Sequence, residues 1–300
     1  MSPQSRVDFN TQIVGVIGHP IKHSFSPLMH NLSFELRHLN YVYLPFDVPT
    51  QNLNDAAKGM LSLGVRGFNV TLPHKENMAH LINDLSEEAR ITGSVNTVVN
   101  ENGTLFGYNT DVNGIYKTLL HYKKELTNAE VSLIGAGGSA RSAIYVLIRY
   151  FKVGKINIIN RTFQKAERLK DYFSTKMMFE SISAHELIPP DLVDVFHNSK
   201  LIINSTSLGM YPELDDTATS IEDSFSEGQI VFDFVYNPLK TKLLETAASK
   251  GAKILNGLNM FVEQGARSFE LWTGEKMPVK KIYKTLEYYL EKEQNQNTIE

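Results

Sequence analysis

The sequence contains no cysteine in 300 residues, which excludes disulfides and thiolate-held metal and is compatible with a reducing compartment. It has no long hydrophobic run either: nothing approaches the roughly 18 apolar residues of a membrane span. Residues 1–11 are polar and lack the apolar stretch of a secretory signal. Neither sign of charge dominates. With 30 Lys plus Arg against 33 Asp plus Glu, the net charge of −3 gives no electrostatic ground for binding nucleic acid or an anionic membrane. The nine histidines are scattered, and His19 and His23, the closest pair in one loop, have no HExxH array beside them, so no metal is expected. Repeats and low-complexity linkers are also missing. These absences leave a soluble, cytoplasmic protein whose partner is a small molecule.

What is present is a chain of two-domain length, 42% hydrophobic, with a cleft expected between the domains. An apolar run at 12–18 leads into a helical pattern at 27–39, with Ser26 as N-cap and Pro27 in the first turn. Leu28, Leu32, Leu36 and Leu39 lie on one face of that helix. Strands are predicted at 41–48, 66–71 and 94–100, and helices near 52–62, 74–83 and 86–91. Asn102-Gly103 reads as a hairpin turn joining 95–99 to 104–108. After a helix at 111–123 a second series begins. Buried strands at 131–134, 155–160, 201–204, 230–234 and 253–255, separated by helices, argue for a parallel sheet wound on both faces. The last stretch, 291–300, is polar, has nothing to bury and should fray. The fold class is α/β: one α/β unit followed by a Rossmann-like unit.

The second unit carries a GxGxxA turn, Gly135-Ala136-Gly137-Gly138-Ser139-Ala140, between a strand and a helix. Gly135 permits the tight turn, Gly137 lets backbone approach a pyrophosphate, and Ala140 allows close helix packing, with the helix N-terminus facing the anion. Such turns also occur without any ligand. The next strand ends in Asn160-Arg161-Thr162, where an NAD enzyme usually carries an acidic residue. Arg161, with Lys165 one turn on, suits the 2′-phosphate of NADP; the alternative is a pair of solvated surface charges. In the first unit, polar clusters fall at strand ends. Ser24 and Ser26 stand at a helix start, a donor-rich place for a carboxylate. Plain N-capping would account for Ser26 but leaves Ser24 unexplained. Asn69 and Thr71 alternate along a strand with Lys75 just beyond, a position that also fits a surface lysine. Asn96 and Asp111 bring an amide and a carboxylate to loop edges, where Asp111 could equally cap a helix.

Taken in order, these motifs resemble the shikimate dehydrogenase family over nearly the whole chain. The serine loop is His23-Ser24-Phe25-Ser26-Pro27, NVTxPxK is residues 69–75, GAVNT is residues 93–97 and NTD is residues 109–111. GAGG(A/S)A(R) runs from Gly135 to Arg141, NRT from Asn160 to Thr162 and NATSxGM from Asn204 to Met210. Asp233-Phe-Val-Tyr236-Asn-Pro and Gly257-Leu-Asn-Met260-Phe-Val-Glu-Gln264-Gly265-Ala266 close the series. The resemblance implies a discontinuous substrate domain, 1–110 with 258–300, and an NADP domain, 111–257. It implies reversible, NADPH-dependent reduction of 3-dehydroshikimate to shikimate, on the route to chorismate and the aromatic amino acids. Lys75 and Asp111 would be the catalytic pair. Ser24 and Ser26 would hold the substrate carboxylate, and Asn69, Thr71, Asn96, Tyr236 and Gln264 its hydroxyls or ring. Residues 135–140, Asn160, Arg161, Thr162, Lys165, Thr206, Phe234, Gly257 and Met260 would hold the cofactor. No metal is required, and family members are monomers or homodimers.

Departures are small. Ser94 replaces the usual alanine of GAVNT, Ser205 the alanine of NATS and Asn259 a frequent glycine, while Lys165 stands where many members carry arginine. No dehydratase domain of the kind fused to plant relatives is present, so a single activity is expected. Three other readings remain: an NAD-preferring quinate/shikimate dehydrogenase, a methylenetetrahydrofolate dehydrogenase type, and a non-catalytic dinucleotide-binding protein. Ser26 in place of threonine tilts toward shikimate, the serine loop argues against the folate type, and retention of Lys75 with Asp111 argues against loss of chemistry.

Overall fold

From Val14 to Gly18 five consecutive residues are buried, as befits a strand with parallel neighbours on both sides. The computed structural model describes residues 7–22, 24–82, 84–219 and 221–297. Residues 1–6, His23, Asn83, Ser220 and residues 298–300 lie outside the described residues. The chain divides into two compact units, one of Met1–Asn113 and Val262–Leu286, the other of Gly114–Phe261 and Glu287–Glu300.

The first unit contains β1 (Gln12–Gly18), α1 (Ser26–Leu36), β2 (Tyr41–Asp47), α2 (Leu53–Ser62), β3 (Gly67–Val70), α3 (Lys75–Leu81), β4 (Asp84–Leu85), α4 (Glu87–Thr92), β5 (Thr97–Glu101) and β6 (Thr104–Tyr108). Its sheet has the order β2-β1-β3-β5-β6-β4. β1 pairs in parallel with both β2 and β3, so the winding reverses there. β5 runs antiparallel to β3 and β6, with Asn69 opposite Thr97 and Thr97 opposite Tyr108. That reversal brings the start of β5 to the ends of β3 and β6. At the other end of the hairpin, Asn102 and Gly103 have φ of 53° and 90°, as a type I′ turn requires.

The second unit opens within α5 (Asp111–Leu119) and continues through α6 (Lys123–Leu126), β7 (Glu130–Ile134), α7 (Gly138–Val146), β8 (Lys155–Asn160), α8 (Phe163–Met177), β9 (Ile182–Glu186), α9 (Val193–His197), β10 (Leu201–Asn204), β11 (Ile230–Asp233), α10 (Lys242–Ser249) and β12 (Lys253–Leu255). All strands of its sheet are parallel, in the order β12-β11-β10-β7-β8-β9. This is the doubly wound Rossmann order, with the reversal between β7 and β10. Two helices follow, α11 (Leu258–Thr273) and α12 (Val279–Asn297).

Several elements differ from the sequence expectation. The buried face of α1 is Met29, His30, Ser33 and Phe34, while Leu28, Leu32, Leu36 and Leu39 are only half-buried. The helix chooses this stripe because His30 stacks on Tyr43, with ring centroids 4.5 Å apart, and the Ser33 hydroxyl donates to the Met29 carbonyl at 2.7 Å. A 3₁₀ turn at Leu120–Tyr122 splits the helix expected at 111–123, leaving both Leu119 and Leu126 inside and Leu120 outside. A π turn, Leu147–Phe151, ends the helix behind the glycine loop. β9 went unforeseen because only Ile182 of its five residues is buried. The polar stretch from Glu291 prolongs α12 to Asn297 instead of fraying, being rich in helix-forming Glu, Lys and Gln.

An aromatic cluster fills the first unit between sheet and returning helix. His30 lies in it beside Tyr43, Phe34, Phe269 and Trp272, fully buried, and among the described residues neither ring nitrogen has a hydrogen-bond partner. Burial lowers its pKa to about 3. The unfolded chain therefore binds a proton that the folded chain refuses between about pH 6.5 and 3, so His30's contribution is whole above 6.5 and lost on acidification. His30→Phe is expected to lessen the decline of unfolding free energy across that window. The measurement is denaturant unfolding of both proteins from pH 7 to 4, and parallel curves would refute the assignment.

Candidate active site

At the edge of the first sheet where β1, β3 and β6 end and β5 begins, the chain assembles a charged pair on a polar lattice. Lys75, the first residue of α3, donates from Nζ to Asp111 Oδ2 at 2.6 Å, and the two side chains are 13% and 5% exposed. Asp111 begins α5 but its carboxylate faces this pair, so the capping alternative falls away. Its other oxygen, Oδ1, accepts from Asn96 Nδ2 at 2.8 Å. The Thr110 backbone N–H donates to Asn96 Oδ1 at 2.6 Å, which fixes the orientation of that amide. Behind Asn96 the hydroxyls of Thr97, Thr110 and Ser268 lie 2.8–3.2 Å from one another. Asn69 reaches the same cluster and is treated below.

The remaining expected substrate residues fall at this edge unevenly. Ser26 is the first residue of α1, not its cap; Ser24 Oγ accepts from the Ser26 backbone N–H at 3.3 Å. The cap position falls on Phe25 and no side chain bonds there, so the capping expected of Ser26 is not made, and Ser24 only closes a local turn onto the first helical N–H. Among the described residues the Ser26 and Thr71 hydroxyls have no partner. Gln264 Oε1 lies 3.4 Å from Asn96 Nδ2 and 3.5 Å from Thr110 Oγ1. His23, the opening residue of the serine loop, lies outside the described residues. Tyr236 belongs to the second unit, where its ring stacks on Phe261 at 4.4 Å.

In the second unit the loop after β7 lies at the reversal of the sheet. Gly135 has φ +111°, and a Cβ there would meet Ser205 Oγ at 2.5 Å. Gly137 is exposed with open space where a Cβ would be, while Ala136 and Ser139 are half-buried and Gly138 and Ala140 are buried at the start of α7. This is a backbone cradle at a nine-residue helix, and it fits a pyrophosphate. After β8, Asn160 Nδ2 donates to the Thr162 carbonyl, and Arg161, Thr162 and Lys165 are exposed. Among the described residues neither Arg161 nor Lys165 has a carboxylate partner, so both cations are available to an anion.

The loops after β10 and β11 are tied together from within. Asn204 Nδ2 donates to Asp233 Oδ1 at 2.9 Å, and its Oδ1 accepts from the Thr206 hydroxyl at 2.6 Å. Thr206 is thus committed to its own loop. Asp233 also accepts from Thr241 at 2.7 Å and from the Val235 backbone at 3.0 Å. Burial pushes its carboxyl up to about 6 against these bonds. Phe234 follows directly, its backbone N–H donating to the Asn204 carbonyl, while the Gly257 N–H donates to Val235 and Met260 is buried. Tyr43, Thr97, Thr110 and Ser268 join the polar lattice of the site although the motifs give them no role of their own. The signal for Ser268 was its spacing of four from Gln264 on one helix.

Three family models match the chain: the shikimate dehydrogenase substrate binding domain over residues 16–98, the shikimate/quinate 5-dehydrogenase over 118–230, and the shikimate 5′-dehydrogenase C-terminal domain over 257–287. The NADP(+) shikimate dehydrogenase of Caldanaerobacter subterraneus subsp. tengcongensis is 43% identical over 272 residues, 90% of this chain and 94% of that one. The chain belongs to the shikimate dehydrogenase family. A solved shikimate dehydrogenase in complex with NADP+ superposes with a TM-score of 0.86 at 36% identity, covering 95% of this chain and 98% of that one. The Listeria monocytogenes shikimate 5-dehydrogenase, solved with shikimate and NAD, gives 0.81 at 35% identity, covering 94% and 98%.

Against the shikimate dehydrogenase pattern, three of the four departures have different local consequences. Ser205 Oγ donates to the Ile134 carbonyl at 2.7 Å, and Asn259 Nδ2 donates to Thr118 Oγ1 at 2.9 Å, so both polar groups are satisfied. Ser94 Oγ is buried with no partner among the described residues. Removing such a hydroxyl relieves a desolvation cost of about 1–3 kcal/mol. Ser94→Ala is therefore expected to raise Tm by roughly 2–4 °C, the shift that accompanies about 1 kcal/mol in a unit of this size. Calorimetry checks it, and a lower Tm would mean that the hydroxyl has a bonding role.

Proposed function

We propose that this protein is an NADP-dependent shikimate dehydrogenase, catalysing the reversible reduction of 3-dehydroshikimate to shikimate in aromatic amino acid biosynthesis. The first unit is its substrate half and the second its NADP half. It acts in the cytoplasm on small molecules alone, as a monomer or homodimer. The observation that carries this reading is the Lys75–Asp111 pair, 2.6 Å apart at the sheet edge, with the hydroxyls of Ser26 and Thr71 unpartnered among the described residues.

When bound, the nicotinamide supplies or accepts the hydride at the carbon that alternates between ketone and carbinol. The protein has to manage charge on oxygen. Lys75 Nζ donates a proton to the carbonyl oxygen as it becomes an alkoxide, and in the reverse direction takes the hydroxyl proton while the carbinol C–H leaves as hydride. Asp111 holds Nζ in place and accepts from the neighbouring substrate hydroxyl, with Asn96 fixing the carboxylate. Ser26 and Ser24 bind the substrate carboxylate beside the start of α1, and Thr71, Gln264 and Tyr236 orient its ring. The Gly135–Ala140 turn cradles the pyrophosphate, and Arg161 with Lys165 takes the 2′-phosphate.

Purified protein mixed with shikimate or quinate, and with NADP+ or NAD+, tests the reading through absorbance of the reduced nicotinamide. Shikimate with NADP+ is the expected best pair; faster turnover with quinate and NAD+ would establish the other reading. Lys75→Ala is expected to lower kcat roughly 10²–10⁴-fold. Near-normal turnover at saturating shikimate would leave the Lys75–Asp111 pair a purely structural role. Arg161→Leu removes a charge-assisted contact and is expected to cost roughly 10- to 150-fold in kcat/KM with NADP+. Little should change with NAD+, which lacks the phosphate, and equal loss with both cofactors would give Arg161 a structural role.

A further inference from the structure

Asn69 carries a conflict between expectation and geometry. The amide can make two donations from Nδ2 and accept at Oδ1. The Asn96 carbonyl can only accept, so it fixes Nδ2 on its side of the amide and leaves Oδ1 to accept from the Tyr43 hydroxyl at 2.8 Å. Nδ2 then points at three acceptors inside the unit: the Asn96 carbonyl at 3.1 Å, Thr97 Oγ1 at 3.1 Å and Ser268 Oγ at 3.0 Å. Both donor protons are used within the fold, and Asn69 is only 7% exposed. Two strand positions later, Thr71 is half-buried and its hydroxyl has no partner among the described residues. The alternation of one strand therefore separates an occupied amide from an available hydroxyl.

We propose that Asn69 is a positioning residue and not a substrate ligand, and that Tyr43 and Ser268 hold it in that role. Asn69 clamps the backbone of Asn96, which the Val70 N–H also holds by donating to the same carbonyl at 2.9 Å. From that clamped backbone the Asn96 side chain reaches Asp111, and Asp111 reaches Lys75. The path from Tyr43 to Lys75 is continuous: phenol, amide, peptide, amide, carboxylate, ammonium. Tyr43 is 1% exposed, with its ring stacked on His30, and its hydroxyl donates to Asn69 from inside the unit. Ser268 adds a second hold from α11, bonding Asn69, Thr97 and Thr110 at once.

The inference rests on the reading of the site as a shikimate dehydrogenase, and Tyr43→Phe tests it, because that change keeps the stacked ring and removes only the hydroxyl. Loss of one such hold should lower kcat roughly 3- to 10-fold while KM for shikimate stays within about twofold. Ser268→Ala should move the same way. Adding Tyr43→Phe to Asn69→Leu should cost no more than Asn69→Leu alone, since the hydroxyl acts through the amide. A raised KM in Asn69→Leu with wild-type kinetics in Tyr43→Phe would overturn the proposal and make Asn69 a ligand. A second measurement needs neither substrate nor the Leu variant: hydrogen exchange of the Asn96 side-chain amide followed by NMR. Protection in the substrate-free wild type that drops in Tyr43→Phe supports the proposal, and equal exchange in both refutes it. A wild type that is inactive on shikimate would instead sink the functional reading, leaving the exchange result to decide the positioning role.

Discussion

A backbone N–H can only donate, and the one at Thr110 points at Asn96 Oδ1 from 2.6 Å. That constraint decides which end of the Asn96 amide faces Asp111, so the carboxylate meets a donor instead of a repelling oxygen. The carboxylate in turn keeps one oxygen for Lys75. Two charges held this far from water are tolerated because each is paired and hydrogen-bonded, and removing one would strand the other. The cost of arranging these groups is met by folding, before any ligand arrives, which is the condition under which fixed dipoles stabilise developing charge.

The two units meet a common difficulty with a common residue. Where a wound sheet reverses, neighbouring strands send their chains to opposite faces, and the loops beyond need cross-bracing. In the first unit Asn69, on β3, ties the start of β5 and the returning helix together. In the second, Asn204 closes β10 and ties the Thr206 loop to Asp233 at the end of β11. An asparagine suits both places because one planar group donates and accepts without bringing a charge inside. Asp233 departs from that economy, being an acid in a dry place, and its raised pKa is the mark of it.

Much of this was legible from the residues. The parallel strands of the second unit announced themselves as short apolar runs, and the Asn102-Gly103 turn by its need for positive φ. Lys75, Asp111 and Asn96 stood out because each was a polar residue at a strand end. What escaped was whatever depended on partners distant in sequence. The hydrophobic face of α1 was misjudged because His30 and Ser33 look polar until Tyr43 and the Met29 carbonyl are beside them. Ser26 reads as a cap from sequence but is the first helical residue, since a shift of one residue at a helix start separates a cap from a first turn. Asn69 and Asn96 read alike from sequence, because a motif records that a side chain matters without recording which of its atoms are already engaged.

The bond from Asn69 to Ser268 joins residues 199 positions apart. A ribosome making this chain therefore releases nearly all of the second unit before the helix that completes the first one emerges. Until then Asn69 lacks one of its three acceptors and the aromatic cluster lacks Phe269 and Trp272. The nucleotide-binding half, whose sheet is continuous in sequence, can close first, while the earlier-born half waits with apolar surface uncovered. Birth order and completion order are reversed: the N-terminal sheet, made first, is the last to be covered.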